Sequence, residues 1–151
     1  RKSMYTYWKR AVNPPRQIIF DAGGRETCNV HERVTNTPLQ ALVLMNDVTF
    51  VEAARHLAER VLKEKHPRAR DRLARIYRYA NARSIDARTL DILSDNLVFF
   101  QPHFKAHPEA ATAFLAAGES PRDESLDPVE HAAYAAVAHL VLNLDETMTL
   151  E

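Results

Sequence analysis

Apolar side chains recur every three or four residues along most of the chain, the spacing of helices that bury one face. Phe50, Ala54, Leu57 and Val61, flanked by Val51, Ala58 and Leu62, predict a helix from Val48 to about Lys65. After the break at Pro67, Leu73, Ile76, Tyr77 and Ala80 predict another. Leu90, Leu93, Leu97, Phe100 and Phe104 mark a longer one capped by Ser84 or Asp86. His107-Pro108 restarts the chain into a short helix carrying Ala111, Phe114 and Leu115, and Gly118 stops it ahead of the polar loop GESPRDESLD. The last helix has the clearest signals. Asp127 caps it, Pro128 takes its first position, and Val129, Ala132, Ala133, Ala136, Val137, Leu140, Val141 and Leu144 form a broad apolar face. Its many alanines predict close helix–helix approach at the centre of a bundle.

The N-terminal part is less periodic. Residues 3–12 read as a short helix with Tyr5 and Trp8 on one side, ended by Asn13-Pro14-Pro15 because a residue before proline is pushed out of the α region. From Pro14 to Thr35 no period is sustained. The run IIF at 18–20 reads as a short extended piece and Asp21-Ala22-Gly23-Gly24 as a turn. TNTPLQALVLMND then starts the helical region. Asn36 or Thr37 caps, Pro38 is preorganised in the first turn, and Leu39, Leu42 and Val43 share a face. Asn46-Asp47 ends this helix after few residues and caps the next one. The pattern predicts an all-α, single-domain bundle of about five or six helices over 36–149, after an irregular arm over 1–35. Gln40 is placed to tie that arm to the corner through its amide.

Composition narrows the function classes. Hydrophobic residues make up 46% and charged residues 26%, ordinary for a globular protein, and only three glycines argue against a turn-rich β architecture. No apolar run reaches the roughly 20 residues of a membrane span, so direct insertion is not expected. The chain begins at Arg1, with no targeting signal, and is read as a C-terminal fragment of a larger protein; Leu150-Glu151 is read as a cloning scar. Net charge is zero but polarised. Residues 1–80 hold 16 Lys/Arg against 8 Asp/Glu, a net +8, and residues 81–151 hold 4 against 12, a net −8. The basic half lacks glycine-interleaved aromatic motifs and a reading helix, so nucleic-acid binding is not expected. Cys28 is the single cysteine, which forbids an internal disulfide and a C-x-x-C-H haem attachment within these residues. Its default role is that of a small semi-buried hydrophobe, and the alternative is a reactive thiol.

The candidate chemistry is thin. His103 and His107 have the i, i+4 spacing that suits a metal, but no third ligand is signalled and Pro108 ends the helix there. Helix-terminal histidines favoured by the dipole are the better reading, and no metal is expected. Glu52 and His56, also four apart, read as a surface pair. His131 and His139, near the alanine face of the last helix, read as histidines lodged in packing. No G-x-S-x-G, H-E-x-x-H or phosphate loop occurs. Asn36, Thr37, Gln40, Asn46 and Asp47 bracket an apolar turn. Their ordinary role is capping, with Thr37, Asn46, Asp47 and Asp127 as the structural caps. The competing role is a binding surface of Arg25, Glu26, Cys28, Arg33, Asn36 and Gln40.

Read in order, YTYWKR, PP, FDAGGRETC, TNTPLQALVLMND, FVEAARHLAERVL, GESPRD and VLNLDET resemble the C-terminal domain of unknown function of planctomycete cytochrome-c-associated proteins. The resemblance covers nearly the whole chain and is looser from Tyr79 to Ala106. It implies an extracytoplasmic, multidomain parent with a c-type haem possible in another domain, no cofactor in this one, and the preceding domain of the same polypeptide as partner. It carries no catalytic residues. The expectation is therefore a non-catalytic structural or interaction module. The alternative is one part of a redox or hydrolytic enzyme whose site forms with the preceding domain, to which the arm residues Arg25, Glu26, Cys28 and Arg33 contribute.

Overall fold

A computed structural model of the chain describes residue 7 and residues 14–22, 35–64 and 66–149. Eight helices and no strand occur among them: α1 Pro15–Ile19, α2 Pro38–Asn46, α3 Val48–Lys63, α4 Ala69–Asn81, α5 Ala87–Ala106, α6 Pro108–Leu115, α7 Pro128–Leu142 and α8 Asp145–Met148. The all-α expectation holds, with more helices than the five or six predicted, because α1 and α8 are too short to show a period. The chain forms two compact units, residues 1–43 and 44–151. The helix read at 3–12, with Tyr5 and Trp8, lies outside the described residues except for Tyr7.

In the first unit the expectation of an extended piece at 18–20 is overturned. Ile18 and Ile19 close α1, and Phe20-Asp21 form the turn that follows. Pro15 sits at the first helical position, where its fixed φ and missing N–H cost nothing, and Pro14 accepts the backbone N–H groups of Gln17 and Ile18. The β-branched pair favoured a strand, but the proline start decided the local structure. Asp21 adopts φ 57°, a left-handed conformation that Asp tolerates better than most residues.

The second unit is built around α7. Its residues 131–138 are all buried, and it packs against α3, α5 and α6 and more lightly against α4 and α8. Ala132, Ala133, Ala135 and Ala138 are fully buried, so neighbouring helices come close to its backbone. Ala54, Ala58 and Val61 of α3, Leu73 and Ile76 of α4, Leu93 and Leu97 of α5, and Ala111 and Leu115 of α6 complete the core. Three of these helices start on an aspartate. Asp47 accepts from Thr49 N at 2.9 Å, Asp86 from Thr89 N at 3.0 Å and Asp127 from Glu130 N at 2.7 Å. Each removes an unpaired donor of a first turn, an effect of about 1 kcal/mol. α4 ends on Ala82 at φ 56°, a left-handed cap made without glycine. α5 runs through Pro102, which supplies no N–H to the helical ladder, and still buries Phe104 one half-turn later.

Candidate functional site

The corner that stops α2 resolves into two hydrogen-bonded arrangements. Within the first unit, Thr37 and Gln40 form a capping box. Gln40 N donates to Thr37 Oγ1 at 3.3 Å, while Thr37 N donates to Gln40 Oε1 at 2.8 Å. The other end of the same amide, Nε2, donates to Ile19 O at 2.8 Å, Thr35 Oγ1 at 3.2 Å and, at 3.4 Å, Asp21 Oδ2. Asp21 Oδ2 also accepts from Thr35 Oγ1 at 2.6 Å and Thr35 N at 2.9 Å, bonds that hold its carboxyl below the usual range. Gln40 is 2% exposed. Its amide therefore works inside the protein, joining the end of α1 to the start of α2. Asp21, which the sequence marked only as a turn residue, is the acceptor that completes the knot.

Within the second unit, the end of α2 is held from α7. His139 Nε2 lies 2.8 Å from Leu44 O, so the ring donates to a carbonyl of the terminal turn of α2, a position that lacks an onward helical partner. Asp47 caps α3 on the other side of the break. Asn46 is the last residue of α2 and exposed, and Asn36 is exposed ahead of it. Arg25, Glu26, Cys28 and Arg33 lie outside the described residues.

The densest polar arrangement is on α3, where the sequence suggested only a surface pair. Arg55 is 1% exposed. Its Nη1 donates to Leu115 O at 2.8 Å and its Nη2 to Ser120 O at 2.8 Å, so one guanidinium holds both the end of α6 and the loop that follows. Glu52 belongs to the same fastening. Its Oε1 accepts from Ser120 N at 2.8 Å, and Ser120 is the main cause of its pKa falling to about 2. The Glu52–His56 contact is 3.9 Å and secondary. The surface pair read from the sequence is present, but the main use of Glu52 is to hold the loop. Gly118 makes this approach possible. At φ 109°, a Cβ there would stand 2.5 Å from Glu52 Cδ. Farther along, Lys63 Nζ bridges Glu59 and Asp123, each at 2.6 Å.

His131 lies beneath, fully buried, its Nε2 3.2 Å from Arg55 O. Burial pushes its pKa below the ordinary value. Polar side chains at the end of α3 and on α4 pair with one another. Glu64 takes Arg75 Nε at 3.0 Å and the Tyr79 hydroxyl, the largest cause of its pKa of about 2. Arg72 pairs with Glu130 at 2.6 Å. Arg60 lies over the Tyr79 ring at 4.0 Å. Among the described residues, no group of three or more His, Cys, Asp or Glu side chains is arranged to hold a metal ion, and no helix is long and apolar enough to cross a membrane.

The surface of α5 differs in kind. Ile92 is 50% exposed, Val98 67% and Phe99 65%. Ile92, Phe99 and His103 fall on one side of the helix by its 3.6-residue repeat. The Phe99 and His103 rings stack 7° from parallel at 6.3 Å, and His107 follows 5.3 Å beyond His103. His103 and His107 thus extend an exposed aromatic stripe at the end of the helix. The helical period already left Phe99 off the stripe through Leu90, Leu93, Leu97, Phe100 and Phe104.

Neither a curated protein nor a solved structure matches the chain. Residues 1–97 match a family described as "PSD1: Protein of unknown function (DUF1553)". The match spans more than half of the 151 residues, and the chain belongs to that family.

Proposed function

We propose that this chain is a non-catalytic interaction module that docks on the preceding domain of its parent polypeptide through the outer side of α5. The observation that carries this reading is the contrast in how side chains are used. Buried polar groups such as Gln40, Arg55 and His131 face backbone atoms of the protein itself. Meanwhile α5 leaves Ile92, Val98 and Phe99 largely exposed where an internal core would have covered them. Aromatic and branched apolar side chains clustered on a rigid helix are the usual anchors of a protein interface. The resemblance to planctomycete cytochrome-c-associated proteins supplies the occupant, a preceding domain of an extracytoplasmic parent in which a c-type haem belongs to a different domain.

The test is the association of the separately expressed preceding domain with this chain, measured by calorimetry. Phe99→Asp, alone and with Ile92→Asp, should weaken binding at least about tenfold, as loss of an interface anchor does. Equal binding by wild type and the double variant would remove α5 from the interface and the reading with it. A catalytic role shared with the preceding domain would show instead as activity of the joined protein lost on changing Arg25, Glu26, Cys28 or Arg33.

A further inference from the structure

Three elements converge on the turn of α3 between Arg55 and Glu59. These two residues are four apart, so they share one face of the helix. From α7, His131 reaches this turn, its Nε2 3.2 Å from Arg55 O. From loop 116–127 comes Asp123, which Lys63 Nζ bridges to Glu59 Oε1, each contact at 2.6 Å. Arg122, the chain neighbour of Asp123, is thereby held within one residue of that bridge. Glu59 and Arg122 are both close enough to act electrostatically on the His131 ring.

Each element leaves one polar atom over. Glu59 Oε2, Arg122 Nη1 and His131 Nδ1 are buried without a hydrogen-bond partner among the described residues. His56 Nδ1 stays 3.7 Å from Glu59 Oε2, beyond hydrogen-bond reach. Buried polar atoms in native proteins nearly always have a partner, either protein or ordered water. The three differ in what they need. A carbonyl only accepts, so His131 Nε2 carries the hydrogen, and in the neutral ring that burial favours Nδ1 presents a lone pair. Glu59 Oε2 also accepts, whereas Arg122 Nη1 only donates. A cation here would meet the Arg122 guanidinium. An anion would meet the Glu59 carboxylate and the Nδ1 lone pair. A neutral group with two hydrogens to give and a lone pair to offer satisfies all three, and water is the smallest.

We propose that one internal water molecule is bound between Glu59, Arg122 and His131, accepting from Arg122 Nη1 and donating to Glu59 Oε2 and His131 Nδ1. Buried waters make about three such bonds to groups that would otherwise lack partners. This one ties loop 116–127 to α3 and α7 together, where Glu52 and Lys63 tie it to α3 alone.

A crystal structure of the 151-residue chain reads the site directly. The expected result is one ordered water within about 3.2 Å of Glu59 Oε2, Arg122 Nη1 and His131 Nδ1. A direct Glu59–Arg122 ion pair, an ion in the site, or a water that reaches fewer than the three atoms would overturn the proposal. Oxygen-17 relaxation dispersion tests it in solution, because an enclosed water exchanges slowly enough to be counted. Arg122→Leu, which removes the donor, should lose one such water relative to wild type. An equal count in the two folded proteins would overturn the proposal. Should Arg122→Leu fail to fold, the wild-type crystal structure decides.

Discussion

α5 and α7 are both rich in apolar residues, yet they do opposite things. α7 carries small side chains and is covered on nearly every side, with residues 131–138 all buried. α5 carries larger ones and buries only a line through Leu93, Leu97 and Phe104, leaving Ile92, Val98 and Phe99 outside. Alanine lets a neighbouring helix approach the backbone, so it suits the element with most neighbours, whereas phenylalanine on an outward face fills nothing. The difference separates residues that make this fold from residues the fold leaves over. It also bears on the family match, which ends at Leu97. The apolar faces of α3 and α4 are closed by α7, which lies beyond the matched residues, so residues 98–151 are needed for the matched helices to have a core.

The sharpest way to break this comparison is at the seam between α3 and α7. Arg55→Ala leaves Leu115 O and Ser120 O without their donor and hollows a fully buried position. A loss of about 3–5 kcal/mol in a denaturant titration is expected, as for other broken buried polar networks. A loss below about 1 kcal/mol would mean that the loop holds without it. Next in size, Ala135→Leu forces an isobutyl group into a fully buried site of α7. Overpacking of this kind costs about 1–3 kcal/mol and should lower the melting temperature by several degrees. An unchanged melt would show α7 less tightly enclosed than its burial states.

Smaller effects sharpen the account at the corner. Asp47→Ala removes the acceptor for Thr49 N. It should cost about 0.5–2 kcal/mol with the helical circular dichroism retained. If instead it melts like wild type yet abolishes docking of the preceding domain, the corner is a functional site. The smallest expected effect is at Phe99→Asp. An exposed position away from caps and core should shift stability by no more than about 0.5 kcal/mol.

The second unit is largely legible in the sequence because its helices announce themselves locally. Asp86, Asp127-Pro128 and Gly118 are start and stop signals within one turn of what they govern, and Leu73, Ile76 and Tyr77 repeat at helical spacing. α1 was misread because Ile18-Ile19 favours a strand by propensity, while Pro15 sets the helix by geometry. α8 is four residues long and carries no period. The Arg55 fastening was not legible at all, since it joins a side chain to carbonyls 60 and 65 residues away and leaves no pattern in sequence. His131 was readable as a packed histidine, but its hydrogen bond to Arg55 O, 76 residues distant, was not. The exposure of Phe99 was legible in part, since the stripe through Leu90, Leu93, Leu97, Phe100 and Phe104 leaves it on another side. Whether a neighbour covers that other side depends on how many elements reach it.

The central claim is that the outer side of α5 is reserved for a partner while α7 serves the fold. Hydrogen exchange of this chain, alone and joined to its preceding domain, tests it most directly. The account predicts added protection over residues 92–107 and unchanged protection across α7. Protection unchanged along α5, or gained instead at Asp47 and the start of α3, would contradict it.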